Sequence, residues 1–360
     1  MSGGSARSGQ AIQRGIELAM DEINQSGGVL GRPLRLMVKD HRGNPRRGID
    51  NLNDFAALSN LAAVVGGLHT PVVLQELKTI HAHKLLFLSP WAAGTPVVDN
   101  GYDPNYVFRV SVRDQYAGGF LVDKALALGF KQPGLLLEKT GWGRSNLKSM
   151  GAALQMHGMK PKGVEWFHWG TKRVGKLIDS LYEQGVDVLF LVANAPEGLA
   201  VVRAMAARPK AKRLPIISHW GITGGVFGQR AGKALQQVDL RVLQTFSFLR
   251  PPRPQVAAKL LNAYLKKYPN TGEAKEIFAP AGTAHAYDLV HLLKLAIEKA
   301  GSLDRPGLQK AMEHLPRYAG LMRIYERPFR PDHHDALNQE SFMLARFDAE
   351  GRIVPLGEAR

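Results

Sequence analysis

Two short polar segments stand where helices are predicted to begin. His69 and Thr70 precede Pro71, and Asn194 comes two residues before Pro196. A proline in the first helical turn after a polar residue is typical of a helix start, where backbone N–H groups have no intrahelical partner. Such N–H groups beside a hydroxyl or amide suit an anion, for example a carboxylate. For either segment alone, ordinary helix capping is the alternative.

Aromatic side chains recur at predicted loops. Trp142 lies between two glycines, Trp91 follows Pro90, and His219 and Trp220 follow an apolar run. The flanking glycines favour an exposed loop position for Trp142, where an indole can cover a bound molecule. Core packing is the alternative for each indole.

Metal, cofactor and catalytic motifs are not favoured. The chain has no cysteine, which excludes disulfides, thiolate catalysis and Cys-ligated metals. The run Asp332-His333-His334-Asp335 contains ligand types, but adjacent histidines rarely face one ion and Pro331 indicates a surface turn. We found no phosphate-binding loop, nucleophile elbow or zinc-protease helix. We therefore predict no metal, no cofactor and no enzymatic activity, with a doubly wound enzyme as an open alternative.

The elements that position these residues alternate along the chain. Predicted strands are 34–39, 62–66, 85–89, 106–110, 132–138, 163–167, 186–192, 215–218, 242–246 and 341–347. Predicted helices are 8–25, 47–59, 71–83, 115–128, 143–157, 173–184, 196–207, 254–268, 279–299 and 305–314. This alternation predicts an α/β protein with doubly wound parallel sheets, whose ligand sites lie at the carboxyl ends of strands. A length of 360 residues favours two lobes.

The charge is strongly positive. Forty-seven Lys and Arg residues against thirty-one Asp and Glu residues give a formal net charge of +16. The basic residues occur in short clusters without zinc-finger spacing or an RNA-binding aromatic signature, so we predict a solvated surface and no nucleic-acid partner. No stretch of 18 apolar residues is present, and the first ten residues do not resemble a signal peptide.

Several segments resemble one family in order along the chain. The specific ones are GIELAMDEIN at 15–24, GGVLGRPL at 27–34 and Lys39-Asp40, followed by VVGG at 64–67, LSP at 88–90 and DVLF at 187–190. The chain resembles periplasmic solute-binding proteins of the branched-chain amino acid type, which include amide and urea binders. The resemblance covers nearly the whole chain.

The resemblance implies a type I periplasmic binding protein fold: two lobes, joined by three crossovers, that close on a small solute. It also implies a periplasmic location, a monomer, and delivery of the solute to the membrane permease of an ABC transporter. We predict one lobe from residues 1–113 plus 251–322, and the other from 114–250 plus 323–360. A cytoplasmic or periplasmic ligand sensor of the same fold, regulating a partner protein, is the alternative.

The beginning of the chain departs from the family. Family members open with a β-strand that leads into a Ser-Gly turn, and here only Ser2-Gly3 follows Met1. The first strand and export signal are therefore expected to be missing from the chain as given, through truncation, a misplaced start or an expression boundary. A first lobe that truly lacked this strand is expected to fold poorly.

Family positions also predict the ligand site. The resemblance implies that Thr70 binds a ligand carboxylate, with His69 beside it, and that Trp142 covers the ligand. Further implied ligand contacts are Trp91, Ala92, Ala93, Asn194, His219, Trp220, Arg7 and Ser8.

The strongest departure within the site is Trp220. Amino acid binders of the family carry an acidic residue near this position, which pairs with the ligand's ammonium group. Burying an ammonium without a carboxylate costs several kcal/mol. We therefore predict a small carboxylate or amide ligand, aromatic in one version of the hypothesis, in preference to a simple branched-chain amino acid.

Overall fold

The computed structural model describes residues 2–357 and contains two main parallel-stranded sheets. The smaller sheet has three parallel strands in the order β1-β2-β3. These are β1 (Val64–Val65), β2 (Phe87–Ser89) and β3 (Val107–Arg109). We call the part of the molecule around this sheet lobe 1.

The larger sheet, in lobe 2, has seven strands. Its parallel strands are β4 (Pro133–Glu138), β5 (Gly163–Phe167), β6 (Val188–Val192), β7 (Ile216–Ser218) and β8 (Leu240–Gln244). After a two-stranded hairpin of β9 (Tyr318–Ala319) and β10 (Ile324–Tyr325), the antiparallel strands β11 (Met343–Phe347) and β12 (Ile353–Pro355) complete this sheet. The strand order is β12-β11-β8-β7-β6-β4-β5.

Helices cover both sheets. They are α1 (Ala6–Gln25), α2 (Pro45–Ala56), α3 (Thr70–Ala82), α4 (Asp114–Ala127), α5 (Gly141–Met156), α6 (Gly175–Glu183), α7 (Ala195–Ala206), α8 (Phe227–Ala231), α9 (Pro254–Lys267), α10 (Pro280–Ala300) and α11 (Arg305–Glu313). All but the short α8 lie within a few residues of a predicted helix. In the part of the chain that the structure describes, no helix is long and apolar enough to cross a membrane.

The chain passes between the lobes three times. It leaves lobe 1 after β3, returns from β8 to α9 and α10, and enters lobe 2 again at β11. Helix α10 packs along α1 in lobe 1, where Thr283 Oγ1 donates to the Ala11 carbonyl at 3.1 Å. The predicted fold class, two doubly wound lobes joined by three crossovers, is confirmed. The residue numbers given for the lobe boundaries stay a prediction.

Buried carboxylates fix the crossover segments. Asp288 accepts hydrogen bonds from the Leu321 and Met322 backbone N–H groups and from the Tyr325 hydroxyl, at 2.7 to 2.9 Å. Asp335 pairs with Arg109 and Arg113. Because each carboxylate is buried with several donors, the crossover after β3 and the crossover into β11 each have one defined path.

The strand predicted at 34–39 is wrong. These residues form neither helix nor strand, and Met37 and Val38 are exposed by 58% and 47%. A strand is stabilised by a hydrogen-bonded neighbour, and within residues 2–357 no strand lies beside this segment. An apolar pattern alone is therefore insufficient to predict a strand at 34–39. The expectation that lobe 1 folds poorly without another strand stays a prediction.

Candidate functional site

A small cavity lies between the lobes, at the carboxyl ends of the central strands. Its wall in lobe 1 consists of Leu68, His69, Thr70, Pro71, Trp91, Ala92 and Ala93, and its wall in lobe 2 consists of Glu138, Trp142, Trp169, Asn194 and Trp220. The cavity volume is about 10 Å³, close to the least that admits one water molecule. A solute of several heavy atoms therefore requires the two walls to move apart.

Thr70 lies at the start of α3 without capping it. Its Oγ1 accepts a hydrogen bond from the Gly94 backbone N–H at 3.1 Å, and the N-cap position belongs to His69, whose side chain makes no cap hydrogen bond. Within the described residues the Thr70 O–H has no acceptor, so it is free to donate to a ligand. This arrangement favours ligand binding over simple capping at Thr70.

His69, another residue of the cavity wall, has a buried nitrogen without a partner in the described part of the chain. Its Nε2 lies 3.2 Å from Ser5 Oγ, while its Nδ1 is buried and has no hydrogen-bond partner among the described residues. Burial, with a smaller contribution from His41, lowers the pKa of His69 to about 4. The imidazole is therefore neutral at pH 7, and a buried polar atom without a partner is a candidate contact for a polar ligand.

Two indoles meet across the cleft. The rings of Trp91 in lobe 1 and Trp220 in lobe 2 are stacked, with centroids 4.6 Å apart and planes inclined by 18°. Both side chains are at least 95% buried. Aromatic pairs of this kind stabilise a contact by roughly 0.5–1.5 kcal/mol beyond area burial. A flat ligand has to compete with this stack or extend it.

The exposed loop position predicted for Trp142 is wrong, because Trp142 lies in the first turn of α5 and is buried. A buried carboxylate fixes its side chain. Its Nε1 donates to Asp114 Oδ1 at 3.1 Å, and His219 Nε2 lies 3.1 Å from the same oxygen. The imidazole of His219 also meets the Trp142 ring edge to face, at 5.0 Å between centroids. Asp114 and His219 therefore hold Trp142 in one orientation within the cavity wall.

Glu138 supplies a carboxylate that sequence reasoning missed. It is the last residue of β4 and is fully buried. Its Oε1 accepts from the Thr140 hydroxyl at 2.6 Å, and its Oε2 accepts from Trp169 Nε1 and Asn194 Nδ2 at 2.9 Å each. Burial, with a contribution from Glu197, raises the pKa of Glu138 to about 7.

Asn194 precedes α7, as predicted, but its side chain does not cap that helix. Its amide instead donates to Glu138, so the side chain belongs to the cavity wall. Thr70 and Asn194 thus behave alike, each lying at a helix start with its side chain engaged elsewhere. The capping alternative is wrong for both.

Three predicted ligand contacts lie outside the cavity. His219 is behind the wall, in contact with Asp114 and Trp142. Ser8 Oγ donates to the Gly224 carbonyl at 2.8 Å, which joins the two lobes. Arg7 lines a separate cavity of about 490 Å³ beside α7 and α8, and its guanidinium lies over the Phe278 ring. In this conformation His219 and Ser8 make structural contacts, and Arg7 borders a different cavity.

A positional signal could have identified Glu138 and Trp169. Glu138 directly follows the apolar run 135–137, and Trp169 follows β5 by two residues. Both therefore stand at the carboxyl ends of parallel strands, where ligand sites form. The identity of the strands that border the cleft depends on sheet order, which the sequence does not reveal directly.

The Asp-His-His-Asp run has structural contacts. Asp335 pairs with two arginines, and His334 Nδ1 lies 2.9 Å from the Val107 carbonyl, with its Nε2 3.1 Å from Glu313. Asp332 pairs with Arg330 at the surface. In the described part of the chain, no group of three metal-ligating side chains comes together.

A family model described as periplasmic binding protein matches residues 1–352. The chain belongs to the periplasmic binding protein family. A curated relative, Leu/Ile/Val-binding protein homolog 1 of Brucella suis biovar 1 (strain 1330), is 28% identical over 320 residues, which cover 87% of this chain and 80% of the relative.

Solved structures share the fold. A periplasmic binding protein type 1 from Bordetella pertussis Tohama I has a TM-score of 0.87 at 21% identity, with 99% of this chain and 97% of that chain covered. A solute-binding protein of an ABC transporter from R. palustris, in complex with benzoate, has a TM-score of 0.81 at 17% identity, with 99% and 93% covered. At these identities the likeness concerns the fold alone.

Membership in this family confirms the predicted resemblance. Its members are periplasmic proteins that bind small solutes and deliver them to ABC transporter permeases. The relatives and the fold neighbours are binding proteins rather than enzymes. The chain is thus a solute-binding protein of the ABC transporter class.

Proposed function

We propose that this binding protein captures a small carboxylate or amide, with an aromatic body, between its lobes and delivers it to an ABC permease in the periplasm. The observation that carries the proposal is the composition of the cavity wall. Four indoles, from Trp91, Trp142, Trp169 and Trp220, line it together with the free hydroxyl of Thr70. Flat apolar surfaces suit an aromatic ring, and the α3 start with its hydroxyl suits a carboxylate.

Glu138 changes the case against an amino acid ligand. Position 220 has no acidic side chain, but Glu138 places a carboxylate in the cavity wall from another strand. Three donors already bind this carboxylate, and burial raises the pKa of Glu138 to about 7. These donors leave one acceptor position on the carboxylate, fewer than the three N–H donors of an ammonium, so an uncharged or anionic solute remains our preference. A branched-chain amino acid, suggested by the Brucella relative's name, is the second candidate.

Isothermal titration calorimetry separates the two candidates. We expect benzoate or a hydroxybenzoate to bind with at least tenfold higher affinity than leucine, isoleucine or valine. Tighter binding of the aliphatic amino acids would overturn the proposed ligand class. The absence of binding by any member of either set would contradict both candidates. Thermal shift on the same samples provides an independent readout, because a ligand that binds only the folded state raises the apparent stability.

A further inference from the structure

The Glu138 carboxylate has unused hydrogen-bonding capacity within the cavity. An ionised carboxylate offers about four lone-pair positions. Thr140 occupies one on Oε1, and Trp169 and Asn194 occupy two on Oε2. In the described structure, one position on Oε1 therefore remains for a further donor.

The donors around Glu138 hold the carboxylate in a fixed position. Trp169 and Asn194 themselves line the cavity, and Thr140 caps the start of α5 by accepting from the Trp142 backbone N–H at 3.1 Å. Each side chain is therefore restrained by a second contact or by packing. A restrained acceptor makes a more selective contact than a mobile surface side chain.

The opposite wall of the cavity offers donors to a ligand. Thr70 in lobe 1 has a free O–H, whereas Glu138 in lobe 2 is an acceptor when ionised. A carboxylate placed near Glu138 is repelled by its charge, so the carboxylate end of a ligand belongs on the Thr70 side. The end that faces lobe 2 then meets an acceptor with a vacant position.

We propose that Glu138 is a specificity-determining residue that accepts a hydrogen bond from an O–H or N–H group of the ligand, so that the preferred solute is an aromatic carboxylate bearing such a donor. This inference rests on the proposed function and narrows its ligand class. A ligand without the donor leaves Glu138 desolvated beside an apolar edge. Hydrogen bonds to charged groups contribute roughly 1.5–3 kcal/mol, equivalent to about 10- to 150-fold in affinity.

The experiment compares three types of probe by calorimetry on the full chain. Benzoate lacks a ring substituent, 3- and 4-hydroxybenzoate add a donor, and 4-methoxybenzoate carries an oxygen that accepts but does not donate. We expect the wild-type protein to bind one of the hydroxybenzoates at least tenfold more tightly than benzoate and 4-methoxybenzoate.

The variant Glu138→Gln tests the residue. Its single carbonyl oxygen is required by Trp169 and Asn194, so its amide N–H₂ faces Thr140 and the ligand. We expect the preference for the hydroxybenzoate to fall to less than threefold. Glu165→Gln is the matched control, because Glu165 is a half-buried glutamate on β5 that accepts from Ser180 Oγ and does not line the cavity. It should retain the wild-type preference.

The outcomes distinguish this inference from the proposed function. Equal binding of benzoate and hydroxybenzoates by the wild-type protein overturns the role of Glu138 while the carboxylate class stands. The role of Glu138 is likewise overturned if Glu138→Gln keeps the wild-type preference. Failure of every carboxylate to bind overturns the proposed function and this inference together. Even if Glu138→Gln does not fold, the comparison of benzoate with the hydroxybenzoates on the wild-type protein tests the proposed preference for a donor.

Discussion

At the residue scale, Glu76 is buried without compensation. The side chain of this α3 residue is 5% exposed, and its carboxyl has no hydrogen-bond partner among the described residues. Burial raises the pKa of Glu76 from 4.5 to about 7. A carboxyl in this environment favours the protonated form, as expected for a group that leaves water without gaining a donor.

Glu76 makes stability depend on pH in a defined direction. Because its folded-state pKa lies above the unfolded value, its favourable contribution is complete below about pH 4.5 and is lost as pH rises through about 7. Glu76→Gln stays neutral, so its stability relative to wild type should increase by about 2.5 kcal/mol between pH 5 and pH 8.5. Urea unfolding at the two pH values measures the difference.

The comparison with wild type cancels the contribution of Glu138, whose pKa is also raised to about 7. Glu183→Gln is the control, because Glu183 is exposed on α6. It should change stability equally at both pH values. A pH-independent effect of Glu76→Gln would show that the carboxyl titrates normally.

Most of the cavity-wall residues could be predicted from the sequence, and Glu138 was not. Thr70, Trp91, Trp142, Asn194 and Trp220 lie in the cavity wall as expected, because each stands next to a recognisable strand end or helix start. Whether they touch a ligand stays a prediction. Glu138 was missed because a charged residue directly after an apolar run, here followed by Lys139, is ambiguous until the neighbouring strands are known.

At the element scale, the packing of α1 on α10 depends on a small residue. Gly15 is buried at their crossing, and a Cβ there would clash with the Thr283 backbone. At Gly151 on α5, by contrast, a Cβ would meet no neighbouring atom within 4 Å. Alanine at Gly151 therefore changes helix propensity alone, whereas alanine at Gly15 also disturbs close packing.

We expect opposite effects from alanine at these sites. Gly15→Ala should destabilise the protein by about 2 kcal/mol or more, because overpacking outweighs the gain in helix propensity. Gly151→Ala should stabilise it by roughly 0.5–1 kcal/mol. Urea unfolding of the two variants beside wild type gives both values, and a stabilising Gly15→Ala would refute the close contact.

Helices and strands could be predicted where a local pattern, such as an apolar run or a proline at a helix start, coincides with packing partners in the fold. The apolar runs of β4 and β6 and the Pro-started helices α3, α7 and α9 were located within a few residues. The segment 34–39 failed because strand formation depends on a neighbour. The region around α8 was missed because short helical turns lack a clear period.

At the scale of the whole molecule, two lobes enclose a cavity too small for the solutes that the family binds. Closure buries a ligand from both sides, so the hinge crossovers fixed by Asp288 and Asp335 must permit opening. The net charge of +16 should also speed the encounter with an anionic solute, in a salt-dependent way. These features agree with capture of an anion between the lobes.

The tryptophans report occupation of the cavity directly. Of five in the chain, four line the cavity, and Trp166 lies half-buried on β5. A Trp166→Phe protein thus has indole emission from cavity residues alone. Its titration with an aromatic acid found to bind by calorimetry tests most directly whether the solute binds between the lobes.

We predict a saturable change in emission whose midpoint matches the calorimetric Kd. Adding Thr70→Val should weaken binding about tenfold or more through loss of the hydroxyl donor, whereas Thr79→Val on the same helix should not. A ligand that binds by calorimetry but leaves the emission unchanged, or binds Thr70→Val as tightly as the Trp166→Phe parent, would contradict this location of the site.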